Sequence, residues 1–189
     1  MDMLTGIFSA FGLSASAGLN AYIPLLVIAL LARFTDFIKL SEPWNTLESW
    51  WIIGLLLVLS LIEFFADKFP AVNHINDAVQ SLIRPTAGAI VFAASAHVLT
   101  DINPVFSLAL GLMVAGGVHA VKSLAIRPAV TATTGGAGNV PVSILEDVVS
   151  TIVSILSVLV PVFLVVLIVL LAAWLLSRLS SRKPESRST

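Results

Sequence analysis

Residues 4–31 carry no charged side chain, and long apolar runs recur along the rest of the chain. A helix that crosses a bilayer needs about 20 mostly apolar residues. Composition points the same way: 58% of the 189 residues are hydrophobic and 11% are charged, with a mean hydropathy of +1.02. A soluble domain normally carries about 25% charged residues. Too few polar side chains remain to cover a water-exposed surface, so lipid must cover much of it. The expected fold is all-α, a polytopic transmembrane helix bundle of five to six spans. The lipid bilayer is therefore the first expected partner. A formal net charge of −1 gives no case for nucleic acid. With no cysteine, disulfides, thiolate metal sites and thiol catalysis drop out.

The first basic residue is Arg33, so the N-terminus lacks the basic region of a cleaved signal and Met1 onward reads as mature protein. Residues 4–31 are longer than one span requires, and Ser14, Ser16, Gly18, Asn20 and Pro24 interrupt them. A strong tilt or a break between Gly18 and Asn20 follows. A polar loop, 33–49, ends at Trp50 and Trp51, which suit the membrane interface. The second span, 50–65, is clean until Glu63. In 71–83, Val72, Ile75, Val79 and Leu82 recur at helical spacing beside Asn73, His74, Asp77 and Gln80. That pattern predicts a helix along the interface or beside a polar cavity. Spans at 86–100 and 105–121 follow, separated by a turn at Asp101 to Pro104, and both are rich in small residues that permit close packing. Residues 131–139 read as a small-residue loop, and Ser143 with Glu146 as a capping box opening the next helix.

From Ser143 to Leu179 the chain is almost unbroken helix former. Roughly 36 residues at 1.5 Å each make ~54 Å, well beyond a ~30 Å hydrocarbon core. A kink or break at Pro161 is expected. Glu146, Ser150, Ser154 and Ser157 form a polar stripe on its first part, whereas 162–176 is wholly apolar. Residues 1–178 thus form a single transmembrane domain, with a basic polar tail at 179–189. Arg178, Arg182, Lys183 and Arg187 predict a cytoplasmic C-terminus. With six segments, all basic residues except Arg33 and Lys39 collect on that side; with five, the split is more even. The six-segment arrangement fits the rule better, although the tight junction at Pro161 argues against it.

An internal match supports a plan for the bundle. Gly12-Leu13 pairs with Gly111-Leu112, and Gly18-Leu19-Asn20-Ala21 with Gly117-Val118-His119-Ala120, at one constant offset. Spans one and four would then be equivalent and antiparallel, as in a 3+3 inverted repeat with broken helices, with half-repeats 1–100 and 101–178. Secondary transporters often follow that plan, with the site at the midplane. Chance matches among Ala, Gly and Leu are the alternative.

Several blocks carry a resemblance. Ala17-Gly18-Leu19-Asn20-Ala21-Tyr22-Ile23-Pro24-Leu25, Glu63-Phe64-Phe65-Ala66-Asp67-Lys68-Phe69-Pro70, Ile83-Arg84-Pro85-Thr86-Ala87-Gly88, and Thr133-Thr134-Gly135-Gly136-Ala137-Gly138-Asn139 with Ser143-Ile144-Leu145-Glu146-Asp147 are similar to an uncharacterised bacterial family of small integral membrane proteins, domain-of-unknown-function family 4126. The resemblance covers most of the chain. It implies a multi-pass protein of the bacterial inner membrane, and no mechanism.

Polar groups at membrane depth are costly and usually face the bundle interior or an aqueous cavity. Asn20 and His119 hold equivalent places in the repeat and are candidates for an ion or solute site; interhelical hydrogen bonding is the plainer role. Glu63 and Asp67 share one helix face and can bind a cation or share a proton, or simply pair with Lys68 or an arginine. Glu146 and Asp147 suit a helix start, yet the stripe below Glu146 points into the membrane and can line a pathway. Asn139 closes the glycine-rich loop, whose amides can cradle an anion. Arg84 and Arg127, each before a proline, anchor at the interface or grip an anionic headgroup or substrate. No catalytic residue, metal site or cofactor motif emerges; His97 with Asp101 and His74 with Asp77 lack the ligand count of a zinc site.

The leading expectation is a small transporter or channel for an ion or small solute, coupled to protons or cations through intramembrane carboxylates, and acting as a homodimer. The alternatives are a membrane-embedded lipid-acting enzyme and an accessory subunit without activity of its own.

Overall fold

The computed structural model describes residues 3–36, 38–68, 70–97 and 103–180. Among these residues the chain is helical, with no strand. Helix α1 (Met3–Leu19) and α2 (Tyr22–Phe34) meet at Asn20 and Ala21. A 3-10 turn, Trp44–Glu48, leads into α3 (Trp50–Ala66). Helices α4 (Pro70–His97) and α5 (Pro104–Val121) follow. One π-helical turn, Lys122–Ile126, carries α5 directly into α6 (Arg127–Thr134). The last helix, α7, spans Asn139–Ser180.

Local chemistry explains where the helices start and stop. Asn20 still donates its N–H to the Ser16 carbonyl (3.1 Å), while its side-chain Oδ1 accepts from the N–H groups of Tyr22 and Ile23, both at 3.1 Å. One residue thus ends α1 and satisfies two orphan donors of α2. Pro24 falls in the first turn, where a missing N–H costs nothing. Ser49 caps α3 by accepting from Ile52 N–H, and Asn103 caps α5 by accepting from Val105 N–H. Gly135 and Gly136, at φ of 62° and 90°, turn the chain after α6 in a conformation that favours glycine.

Cross-helix pairs give each direction. Along α1, Phe11 stacks edge-on against Phe92 while the Ser14 hydroxyl lies at Gly88, so α4 runs antiparallel to it. Ser16 bonds Ser150 and Ser154 and Asn20 bonds Asp147, so α7 is antiparallel too. Ser14 donates to the Gly111 carbonyl and Lys122 to the Leu19 carbonyl, so α5 runs parallel to α1. Tyr22 and Leu25 share a pocket with Leu82, Ile83 and Thr86, and at the far end of α2 Arg33 and Phe34 pack on Trp50. Helix α2 therefore folds back along α1, and α3 returns to place Glu63 on Arg84. The legs α1, α2, α3, α4, α5–α6 and α7 alternate in direction. The start of α1 and the end of α7 lie at one end of the bundle. At the other end gather the α1–α2, α3–α4 and α6–α7 turns.

The distribution of polarity is inverted relative to a water-soluble domain. Arg84, Lys122 and Glu63 are at most 1% exposed, whereas Trp51, Leu124, Leu82, Val105 and Met113 stand open on the surface. Exposed large apolar side chains in this number mark surface that meets a protein partner or a membrane. Two helical stretches, Pro104–Thr134 and Asn139–Val160, are long and apolar enough to cross a membrane. Gly6–Leu19, Tyr22–Phe34 and Trp50–Ala66 are apolar but shorter.

Several expectations change. The break in residues 4–31 is real, and it is a reversal that makes two helices. The segments 71–83 and 86–97 form one helix with Pro85 inside it; a proline removes one backbone bond without always ending a helix. Residues 98–102 lie outside the described residues. The loop expected at 131–139 shrinks to a turn, because α6 reaches Thr134 and α7 begins at Asn139. Gly138 N–H bonds the Thr134 hydroxyl there, so Ser143 and Glu146 fall inside the helix and form no capping box. Helix α7 continues through Pro161, which removes the junction that a further span required. Consequently Arg178 lies at the opposite end of the bundle from Lys68, Arg84, Lys122 and Arg127, and the basic residues do not collect on one side. Finally, α1 and α5 are parallel, so the matched positions Asn20 and His119 are not related by inversion, and α5 runs on unbroken through His119. The tail at 181–189 lies outside the described residues.

Candidate functional site

At the end where the turns gather, α3 presents Glu63 and Asp67 one turn apart on a single face. Glu63 Oε1 accepts from Arg84 Nη2 (2.9 Å) and Nε (3.2 Å). The same guanidinium lies 3.5 Å from Asp67 Oδ2. Asp67 joins four helices: its Oδ2 accepts from Arg127 Nη2 at 3.0 Å and from the Ser143 hydroxyl at 3.4 Å, and its Oδ1 from Asn76 Nδ2 at 2.7 Å. Arg127 Nη1 straddles both Asp77 oxygens, at 2.9 and 3.0 Å, and its Nη2 reaches Glu146 Oε2 at 3.3 Å. That oxygen is also 2.7 Å from Lys122 Nζ, which donates to the Leu19 carbonyl at 3.0 Å. Asn20 Nδ2 donates to Asp147 Oδ1 (3.0 Å), and Lys68 Nζ stands 3.7 Å from Asp147 Oδ2.

Helix geometry places these groups. A regular α-helix puts residues five apart on different faces, yet Lys122 and Arg127 both meet Glu146. The π turn makes this possible: Arg127 N–H bonds the Lys122 carbonyl, wrapping five residues into one turn. Both basic heads then project to the same side. On α4, Asp77, Ser81 and Arg84 recur at three- and four-residue steps and face α5. His119 sits between them, with Nδ1 3.3 Å from Arg84 Nη1 and Nε2 3.0 Å from the Ser81 hydroxyl. Arginine only donates, so Nδ1 must carry the lone pair and the ring is neutral in this arrangement.

Five carboxylates (Glu63, Asp67, Asp77, Glu146, Asp147) thus face four cations (Lys68, Arg84, Lys122, Arg127). Burial alone would raise the Asp67 carboxyl, but Arg127, Lys122 and Arg84 together outweigh it and hold it below the ordinary carboxylate range. Not every acceptor is satisfied. Glu63 Oε2, Glu146 Oε1 and the Gln80 side-chain carbonyl are buried without a hydrogen-bond partner, and Asp147 Oδ2 has only its long ion pair to Lys68. Each such oxygen carries an uncompensated desolvation cost.

A family model described as Domain of unknown function (DUF4126) matches residues 7–182. The chain belongs to the DUF4126 family. Every block that carried the resemblance lies inside the matched region. No curated protein and no solved structure matches the chain.

In this DUF4126 chain the expected site residues mostly converge. Glu63, Asp67, His119 and Glu146 join one bonded network with Arg84 and Arg127, and Asn20 and Asp147 pair with each other beside it. Asn139 stays apart, bonded to Thr131 at the exposed α6–α7 turn. Arg84 and Arg127 are buried against carboxylates, so neither presents a guanidinium to a lipid surface. The serine stripe of α7 makes a buried ladder with α1 through Ser16, Ser150 and Ser154, which occupies it as helix-to-helix contact. Sequence reading missed Lys122 and Asp77 as network members. Lys122 stands three residues after His119, on the same helical face, and that spacing was the available signal. A pocket of about 280 Å³ opens beside the network between α2, α3 and α4, and its lining is apolar apart from Tyr22 and Thr86. No group of three or more His, Cys, Asp or Glu residues arranged to hold a metal occurs among the described residues.

Proposed function

We propose that this is a multi-pass protein of the bacterial inner membrane that moves an ion or small solute, with the buried carboxylates as its proton- or cation-coupling groups. The observation that carries the proposal is the buried network with its unbonded carboxylate oxygens, set where α1 reverses at Asn20 and α5 passes through a π turn. A network that only joined helices would gain nothing from surplus acceptors, since replacing buried ion pairs by apolar residues is often neutral or stabilising. Charged groups at membrane depth are instead typical of ion pathways and proton relays, and π turns are frequent at functional sites. The two stretches able to cross a membrane contribute His119, Lys122, Arg127 and Glu146 to it, with Asp147 beside it.

Orientation follows from charge. Arg33, Lys39 and Arg178 lie at the end that holds the start of α1 and the end of α7. The sequence that follows Arg178 adds Arg182, Lys183 and Arg187, against Lys68, Arg84, Lys122 and Arg127 at the other end. The rule that cytoplasmic segments are rich in Lys and Arg therefore puts the end of α7 inside and the network toward the outer face.

A second reading, a static clamp without transport, draws on the pairing of all four network cations. The two separate in proteoliposomes. Under an imposed pH or cation gradient the wild type should support flux that empty vesicles do not, and Glu63→Gln should reduce that flux at least tenfold while remaining folded. Equal flux in the two proteins removes Glu63 from the mechanism; no flux in either leaves the clamp.

A further inference from the structure

The last turn of α1 ends against α5 in a way that resembles a filled ion site. A helix C-terminus leaves its final carbonyls without intrahelical partners and carries the negative end of the helix dipole. The Leu19 carbonyl is one of these. It faces Lys122 Nζ at 3.0 Å, and Glu146 Oε2 faces the same nitrogen at 2.7 Å. Lys122 is 1% exposed and Glu146 8% exposed, so both are cut off from bulk water. Glu146 Oε1 is buried with no hydrogen-bond partner. The ammonium group is thus held by a helix-end carbonyl and a carboxylate, with a further carboxylate oxygen unused.

A helix-end carbonyl beside a carboxylate is the ligand chemistry that broken helices offer to monovalent cations. We infer that Leu19 and Glu146 form a monovalent-cation site which Lys122 fills as a tethered ammonium. Lysine suits this role because it is a compact charge on a flexible stem, able to withdraw, whereas an arginine fork is not. When Lys122 withdraws, Arg127 still bonds Glu146 Oε2, and the free Oε1 supplies the extra oxygen that a metal cation or ammonium requires. The site rests on the transport reading only in that it names the class of the coupling ion.

The test uses full-length protein in detergent and reads thermal unfolding against ammonium chloride and sodium chloride, with N-methylglucamine chloride at equal ionic strength as the bulky-cation control. Lys122→Ala opens the tethered position. Its melting temperature should rise by several degrees and saturate as ammonium or sodium is added, as for any ligand that binds only the folded state. The wild type should stay flat, and Glu146→Gln in the Lys122→Ala background should abolish the response. A Lys122→Ala protein that tracks the wild type, or a response that survives Glu146→Gln, overturns the proposal. Should Lys122→Ala not be recovered folded, Lys122→Met carries the same requirement and the same penalty for a flat response. A saturable response without flux in proteoliposomes would keep the site and remove transport. Flux without any response would do the reverse.

Discussion

Single residues decide whether the buried network costs or contributes stability. Removing one partner from a buried pair strands the other charge, a loss of roughly 3–5 kcal/mol. Arg84→Met should therefore destabilise the protein by about that amount, because Glu63 and Asp67 both lose a cation. Adding Glu63→Gln to Arg84→Met should recover part of the loss, since one stranded carboxylate disappears. Chemical denaturation of the detergent-solubilised proteins measures the cycle; strictly additive losses would show that the pair is not coupled. Asp67 makes a pH-dependent contribution of definite sign. Its carboxyl is held below the ordinary value of 3.8, so the charged form stabilises the fold above that pH and the contribution fades as pH falls through the lower folded value. The difference in melting temperature between wild type and Asp67→Asn should accordingly be largest near neutrality and shrink below pH 3.8. A difference that stays constant would mean that Asp67 acts through hydrogen bonding alone.

At the scale of helices, close backbone approach is what brings α4 and α5 together. A Cβ at Gly111 would collide with the Gly88 carbonyl and stand 2.7 Å from the Ala89 Cα, both backbone atoms that cannot swing aside. Gly111→Val should cost about 1–3 kcal/mol or more through overpacking. Gly54, in the middle of α3, has open space for 4 Å around the place where a Cβ would stand, so Gly54→Ala should stabilise by roughly 0.5–1 kcal/mol through helix propensity alone. Melting curves of the two variants should move in opposite directions. Features with a local cause were legible in the sequence. The polar interruption at Asn20 marked the end of α1, Trp50 marked the start of α3, and the four-residue steps of Glu146, Ser150 and Ser154 marked the inward face of α7. What escaped was set by distant partners. Nothing near Lys122 says that its ammonium meets Leu19 and Glu146 on two other helices. Nothing in Lys122-Ser123-Leu124-Ala125-Ile126 announces a π turn, and the five-residue step to Arg127 makes sense only once Glu146 is seen between them. Pro161 shows the opposite error, a local signal whose consequence the rest of α7 overrides.

For the whole molecule, the alternation of helix direction makes a claim about sidedness that the charge pattern alone left open. The α2–α3 connection, carrying Asp36 and Lys39, lies at the same end as the close of α7, and the α6–α7 turn at Ala137 lies at the other. Because the chain has no cysteine, single introduced thiols report without background. Asp36 and Ala137 are both exposed, so Asp36→Cys and Ala137→Cys should fold normally. In intact cells whose outer membrane has been made permeable, a membrane-impermeant maleimide should label Ala137→Cys and spare Asp36→Cys until the inner membrane is also opened. Labelling of both thiols from outside would contradict the alternating arrangement. Labelling of Asp36→Cys alone would keep the arrangement and reverse the orientation, bringing the network to the cytoplasmic face. In that case the unbonded oxygens of Glu63, Glu146 and Asp147 would open toward the cytoplasm, and their protonation would follow cytoplasmic rather than external pH. Sidedness therefore fixes which compartment loads the carboxylates, and with it the gradient under which the flux experiment has to be run.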